Sequence, residues 1–203
     1  MLQNPLISRF MFLPPARSDP PPGTERVVKN VYESQGWYQR ITCGQGRGEA
    51  DPGFSTENKG RNIVISINVD GFQPWKRVQR SLTPIVAMIL NLPENLRHKS
   101  EYLILAGLIP GPKAPKHSNP YMSFLIKELV QLNSVGFEFD DPYPEGTESV
   151  ANATEDRLPC TVRVKLLFFC ADLPAFGDML LQQHNSHHGC IKCNILVSAC
   201  AIW

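Results

Sequence analysis

The order of the apolar segments constrains the fold of this 203-residue chain more than any other feature. "NIVISINV" (62–69), "TPIVAMILNLP" (83–93) and "EYLILAGLIPG" (101–111) follow one another through short links. β-Branched content marks the first as a strand, proline limits at both ends mark the second, and the third segment also reads as a strand. "NPYMSFLIKELVQLNSVG" (119–136) then has a helical period. Asn119 suits the N-cap, Pro120 the first helical position and Gly136 the end. Tyr121, Phe124, Leu125, Leu129 and Leu132 are predicted on one face. "TVRVKLLFFCADLPAFGDMLLQQHN" (161–185) begins as a fourth strand and is expected to become helical from about Pro174. Its loss of alternation predicts a central strand, buried on both faces. Three strands, a helical crossover, a strand and a helix predict an α/β fold with a mixed sheet.

Two of these strands end in a carboxylate. "ISINVDGFQPW" stops at Asp70-Gly71, and "LLFFCADLP" stops at Asp172. If the first and fourth strands lie side by side and point the same way, both acids meet at one sheet edge, where ligand sites of such sheets form. Hard carboxylate oxygens suit Mg2+ or Mn2+, which keep waters and substrate phosphates as further ligands. Two such ions about 3.5–4 Å apart can serve phosphodiester cleavage or transfer. Each acid also has a structural explanation. Asp-Gly opens turns, and Asp172 can cap the helix that follows it.

Charge is distributed unevenly. Residues 59–127 hold ten Lys/Arg against three Asp/Glu, whereas 128–178 hold three against ten. The basic segment around Asp70 suits a polyanion such as nucleic acid, although the formal total is only +1. Lys76, Arg77 and Arg80 after Asp70, and Lys113 and Lys116 in "GPKAPK", are the candidate phosphate contacts; solvated surface charge is the other reading. No apolar run approaches the roughly 20 residues that span a membrane. "MLQNPLISRFMFLPPA" is broken by Pro5 and Arg9 and lacks a signal-peptide core. The chain is therefore read as nuclear or cytoplasmic and not secreted. Its six cysteines are then expected as thiols or metal ligands rather than disulfides. The sequon Asn152-Ala153-Thr154 would be used only in a secreted protein.

The chain opens with a proline-rich stretch, "LPPARSDPPPGT", expected to be disordered. Residues 25–40 are expected to form a short helix or strand-turn with Val28, Val31, Tyr32 and Trp37 packed. Residues 43–60 are rich in glycine but do not make a phosphate loop, because no Lys-Ser/Thr pair follows in register. Residues 138–159 read as an acidic loop. Near the end, "HNSHHGCIKC" repeats His184, His187, Cys190 and Cys193 at every third position, a donor set that can saturate a tetrahedral zinc ion. His184 also suits the end of a helix, where a cation is favourable.

"INVDGFQPWK", "YLILAGLIPGPKAPK", "YMSFLIKELVQL" and "LLFFCADLPAFGDML…GCIKC" together resemble the catalytic region of CACTA-type (En/Spm) DNA transposases. The Asp-Gly-Phe-x-Pro strand end, the Leu-Ile-Pro-Gly-Pro-Lys segment, the Asp-x-Pro-Ala motif and the Cys-x-x-Cys stand in the family's order, over roughly residues 30–195. The resemblance implies an RNase H-like fold and an acidic triad for metal-dependent cutting and joining of DNA. Asp70 takes the first acidic position and Asp172 the second. The third family acid, a Glu well downstream of the Cys-x-x-Cys, and the later histidines have no counterpart before Trp203. The N-terminus is short for the family's DNA-end-binding region. A C-terminally incomplete, truncated core is therefore expected, with weak ion binding and no transposition by this chain alone.

The domain reading is 1–60 as a Pro/Gly-rich, partly disordered segment, 61–188 as an RNase H-like transposase core, and 189–203 as the Cys-x-x-Cys and tail. Mg2+ or Mn2+, zinc, and DNA are the implied cofactors and partner. The rival reading is a non-catalytic, co-opted module that binds DNA or protein.

Overall fold

The computed structural model describes residues 11, 30–34, 37, 41, 54, 61–71, 81–111, 119–141, 158–172 and 175. A 3-10 turn at Val31–Glu33 precedes β1 (Ile63–Val69), β2 (Ser81–Ile89) and the one-turn helix α1 (Glu94–Arg97). A second 3-10 turn at Ser100–Tyr102 leads into β3 (Leu103–Gly111). Then come α2 (Asn119–Ser134), β4 (Phe137–Asp141), β5 (Leu158–Val162) and β6 (Val164–Ala171). A four-stranded sheet has the order β3-β2-β1-β6, and β4 pairs with β5 in a separate two-stranded sheet.

The large sheet is mixed. Leu90 N–H donates to the Val64 carbonyl, so the end of β2 meets the start of β1 and the two are antiparallel. Ile63 N–H donates to the Arg163 carbonyl at 2.9 Å, so β1 and β6 start side by side. Strands that start together and pair along their length run in the same direction.

The order of strands and the crossover helix follow the sequence pattern, but several details differ. The acidic stretch expected as a loop over 138–159 carries strand at both ends, with Phe137 opposite Val162 and Asp141 opposite Leu158. "FEFDD" is a strand because Phe139 and Asp141 turn inward and Glu138 and Asp140 outward, a period of two. The fourth predicted strand, β6, was expected at the sheet centre; among the described residues it lies at an edge, with Leu166, Phe168 and Cys170 exposed. The central position goes to β1, where even Ser66 is buried. On α2 the inward residues are Met122, Leu125, Leu129 and Leu132, while Tyr121 and Phe124 are exposed, Phe124 by 74%. The predicted face is thus rotated toward Met122.

Chain contacts divide the molecule into two compact units. The first takes residues 1–66, 88–103 and 129–168, and the second takes 67–87, 104–128 and 169–203. In the first unit Trp37, Ile41, Phe54, Val64, Leu90 and Leu167 form a buried cluster, with Val31, Tyr32 and Met88 packed against it. Asn30 starts the 3-10 turn by accepting from Val31 N–H and also accepts from Arg97 Nη2. Arg97 is buried, donates to the Leu92 carbonyl and lies 5.8 Å from the Tyr32 ring centre. Burial lowers its pKa from the ordinary guanidinium value, against the pull of Tyr32 and Glu94. Arg61, just before β1, is buried with Asp141 at the end of β4; Nε and Nη2 reach the two carboxylate oxygens at 2.8 and 2.6 Å. In the second unit Ile67, Val69, Ile85, Ala87, Ile109 and Met122 are buried.

Gly136 ends α2 with φ of 81°, the left-handed conformation that favours glycine. A Cβ there would lie 2.5 Å from the Val162 carbonyl oxygen, so the ribbon of β4 and β5 also needs the missing side chain. Gly136→Ala is expected to lower stability by at least about 1–2 kcal/mol, measured by denaturant unfolding. At the buried ion pair, Asp141→Ala leaves the Arg61 guanidinium without its carboxylate and is expected to cost about 3–5 kcal/mol. The double variant Arg61→Met/Asp141→Leu should recover most of that loss in the same measurement.

Candidate functional site

The site is a consequence of strand register. Asn62 stands immediately before β1, with its side chain buried. Its Nδ2 donates to the Phe54 carbonyl at 2.7 Å, and its Oδ1 accepts from Arg163 N–H at 2.8 Å. With the bond from Ile63 N–H to the Arg163 carbonyl, the residue before β6 is held at both its donor and its acceptor. Asn91 acts similarly at the neighbouring position. Its Oδ1 accepts from Val64 N–H, and its Nδ2 donates to the carbonyls of Asn62 and Met11.

In a parallel ladder an N–H bonds to the carbonyl preceding its partner residue, so Ile63 pairs with Val164. Continued along the strands, this register sets Asp70 level with Ala171 and leaves Asp172 one step beyond. Both carboxylates are exposed, both follow the last residue of their strand, and both belong to the second compact unit. The pairing sets the ends of β1 and β6 at the same end of the sheet, which is the condition the sequence reading placed on the two acids.

The alternative structural explanations fare differently at the two acids. Asp172 Oδ1 accepts from Ala175 N–H at 2.9 Å, and Ala175 is helical, so Asp172 does cap a helical turn. Asp70 has no such employment: among the described residues nothing bonds its carboxylate. Gly71 does not adopt a positive φ, so no left-handed turn explains the Asp-Gly pair. Among the described residues a Cβ on Gly71 would meet Thr83 Oγ1, at an ordinary 3.6 Å.

Two exposed carboxylates on adjacent strand ends are a hard-oxygen donor pair. That matches Mg2+ or Mn2+, which bind through one or two carboxylates and complete their shell with water and phosphate oxygens. Among the described residues no cluster of three or more His, Cys, Asp or Glu side chains is present. Lys76, Arg77, Arg80, Lys113, Lys116, His184, His187, Cys190 and Cys193 all lie outside the described residues. Among the described residues no helix is long and apolar enough to cross a membrane. Sequence reasoning missed Asn62 and Asn91, which set the register. An asparagine beside a β-branched run is a visible signal, but it signals a turn equally well.

Comparison with known families places residues 48–203 within the description "Transposase family tnp2". No curated protein and no solved structure matches the chain.

Because neither its φ nor the space among the described residues requires glycine at position 71, Gly71→Ala is expected to change stability by no more than about 0.5 kcal/mol, measured by thermal or denaturant unfolding. A large loss would restore the turn explanation for Asp70-Gly71.

Proposed function

The chain belongs to the transposase family tnp2, and from that premise we propose that Asp70 and Asp172 are the metal-holding acids of a DNA cleavage and strand-transfer core. The observation that carries the reading is the parallel pairing of β1 with β6, which brings the two strand-end carboxylates to one end of the sheet. A central β1, antiparallel to β2 and parallel to the strand after the crossover helix, supports an RNase H-like sheet of the CACTA type. Asp70 and Asp172 would hold Mg2+ or Mn2+, with the second carboxylate oriented by its cap. A divalent cation supplies charge stabilisation at a phosphodiester and activation of an attacking oxygen.

The partner is DNA, recognised through its phosphates. Lys76, Arg77, Arg80, Lys113 and Lys116 are the proposed contacts, carried by the basic half of the chain. Zinc at Cys190 and Cys193, with His184 and His187, belongs to the same proposal. The family resemblance implies three acids, and two are assigned. Cleavage by this chain alone is therefore expected to be weak, whereas ion binding requires only the pair.

Titration with Mn2+, followed by the EPR signal of the free ion, tests the site. Asp70→Asn is expected to weaken binding at least about tenfold while leaving the unfolding transition in place. Unchanged Mn2+ affinity in Asp70→Asn would overturn the assignment. In a Mn2+-dependent nicking assay, robust cleavage abolished by Asp70→Ala would overturn the expectation of weak activity.

A further inference from the structure

A carboxylate used as a metal ligand must be aimed, and register alone does not aim Asp172. If the pleat simply continued, residues one step apart on adjacent parallel strands would face opposite sides of the sheet. Asp70 stands level with Ala171, so an ideal continuation would send the Asp70 and Asp172 side chains apart. Neither strand continues. β1 ends at Val69 and β6 at Ala171, and Asp172 is fixed instead by the bond that its Oδ1 accepts from Ala175 N–H at 2.9 Å. A carboxylate has two oxygens and about four lone-pair sites, so one N–H leaves acceptor capacity for a cation.

We infer that the backbone N–H of Ala175 is a positioning group for the ion at Asp70 and Asp172: it turns Asp172 out of the pleat and leaves Oδ2 to the cation. The inference rests on the metal reading above and adds the group that fixes the geometry of the second acid. The cap and the ligand are then one arrangement. The N–H holds Oδ1, and the held carboxylate presents its other oxygen in a single orientation. Groups that orient a ligating side chain in this way typically contribute 10–100-fold to metal affinity, which sets about the scale of the effect.

Ala175→Pro removes that N–H and no side-chain donor, and the first turn of a helix tolerates proline. The experiment measures Mn2+ affinity of the full chain by EPR or calorimetry, alongside the unfolding midpoint. The expected result is affinity weakened about 10–100-fold in Ala175→Pro, with the protein still folded. A wild-type chain that binds no Mn2+ overturns the metal reading itself. A wild-type chain that binds, with Ala175→Pro binding equally well, overturns only the positioning role. Should Ala175→Pro fail to fold, amide exchange in the wild-type chain decides. Mg2+ is expected to slow exchange of the Ala175 N–H, and to do so no longer in Asp70→Asn. Exchange at Ala175 that ignores Mg2+ in a chain that binds it overturns the inference.

Discussion

The arrangement depends on one buried amide. Asn62 and the Ile63 N–H grip Arg163 by its N–H and its carbonyl, and that grip sets which residue of β6 lies beside which residue of β1. Parallel strands far apart in sequence have no hairpin turn to fix their register, so something else must do so. A slip of one residue would reverse the faces of β6 and move Asp172 relative to Asp70. A buried side-chain amide is well suited to the task because its desolvation is offset only when its partners are in place. Asn62 bonds to Phe54 and Arg163, and its own carbonyl accepts from Asn91. Register is therefore enforced by satisfied polar groups, with apolar packing supplying the bulk of the driving force.

That packing draws on chain beyond the matched family segment. The match begins at residue 48, yet Trp37 and Ile41 are buried with Phe54, Val64, Leu90 and Leu167. Full burial of a large apolar side chain is worth roughly 1.5–3 kcal/mol, so two such residues are comparable with a sizeable part of a domain's net stability. Arg97 binds Asn30 and stacks near Tyr32, which ties the 3-10 turn to α1 by polar contacts as well. The first compact unit thus includes residues on both sides of the glycine-rich stretch 43–60.

Much of the order of elements was legible in the sequence because β-branched runs and a helical period are local signals. Three features were not. β4 and β5 are short, and the acids of "FEFDD" hide a strand whose inward Asp141 is neutralised by Arg61, a residue 80 positions away. Nothing local announces such a partner. β6 lost its alternation without becoming central, since apolar residues at an edge can remain exposed, as Leu166 and Phe168 do. On α2 a nearly continuous apolar surface left the helix phase open, and packing selected Met122, Leu125, Leu129 and Leu132 over Phe124. Both candidate acids were legible as strand ends, whereas the register of β1 against β6 lay in asparagines with an ordinary turn-like appearance.

The two acids also show how structural and chemical explanations can coexist. At Asp172 the helix cap is real, and a cap engages one oxygen of two. The cap therefore does not compete with a cation; it removes rotational freedom that ion binding would otherwise have to remove. At Asp70 the structural explanation weakens, because Gly71 takes no left-handed φ and no described residue bonds the carboxylate. An exposed acid that no described residue bonds and an acid held by a backbone N–H form an asymmetric pair. One member is preorganised by the backbone, and the other remains available to adjust. Under the proposed metal reading, a small cation with strict geometry would take its position from the held oxygen of Asp172, and Asp70 would complete the approach around the waters and phosphates that the ion retains.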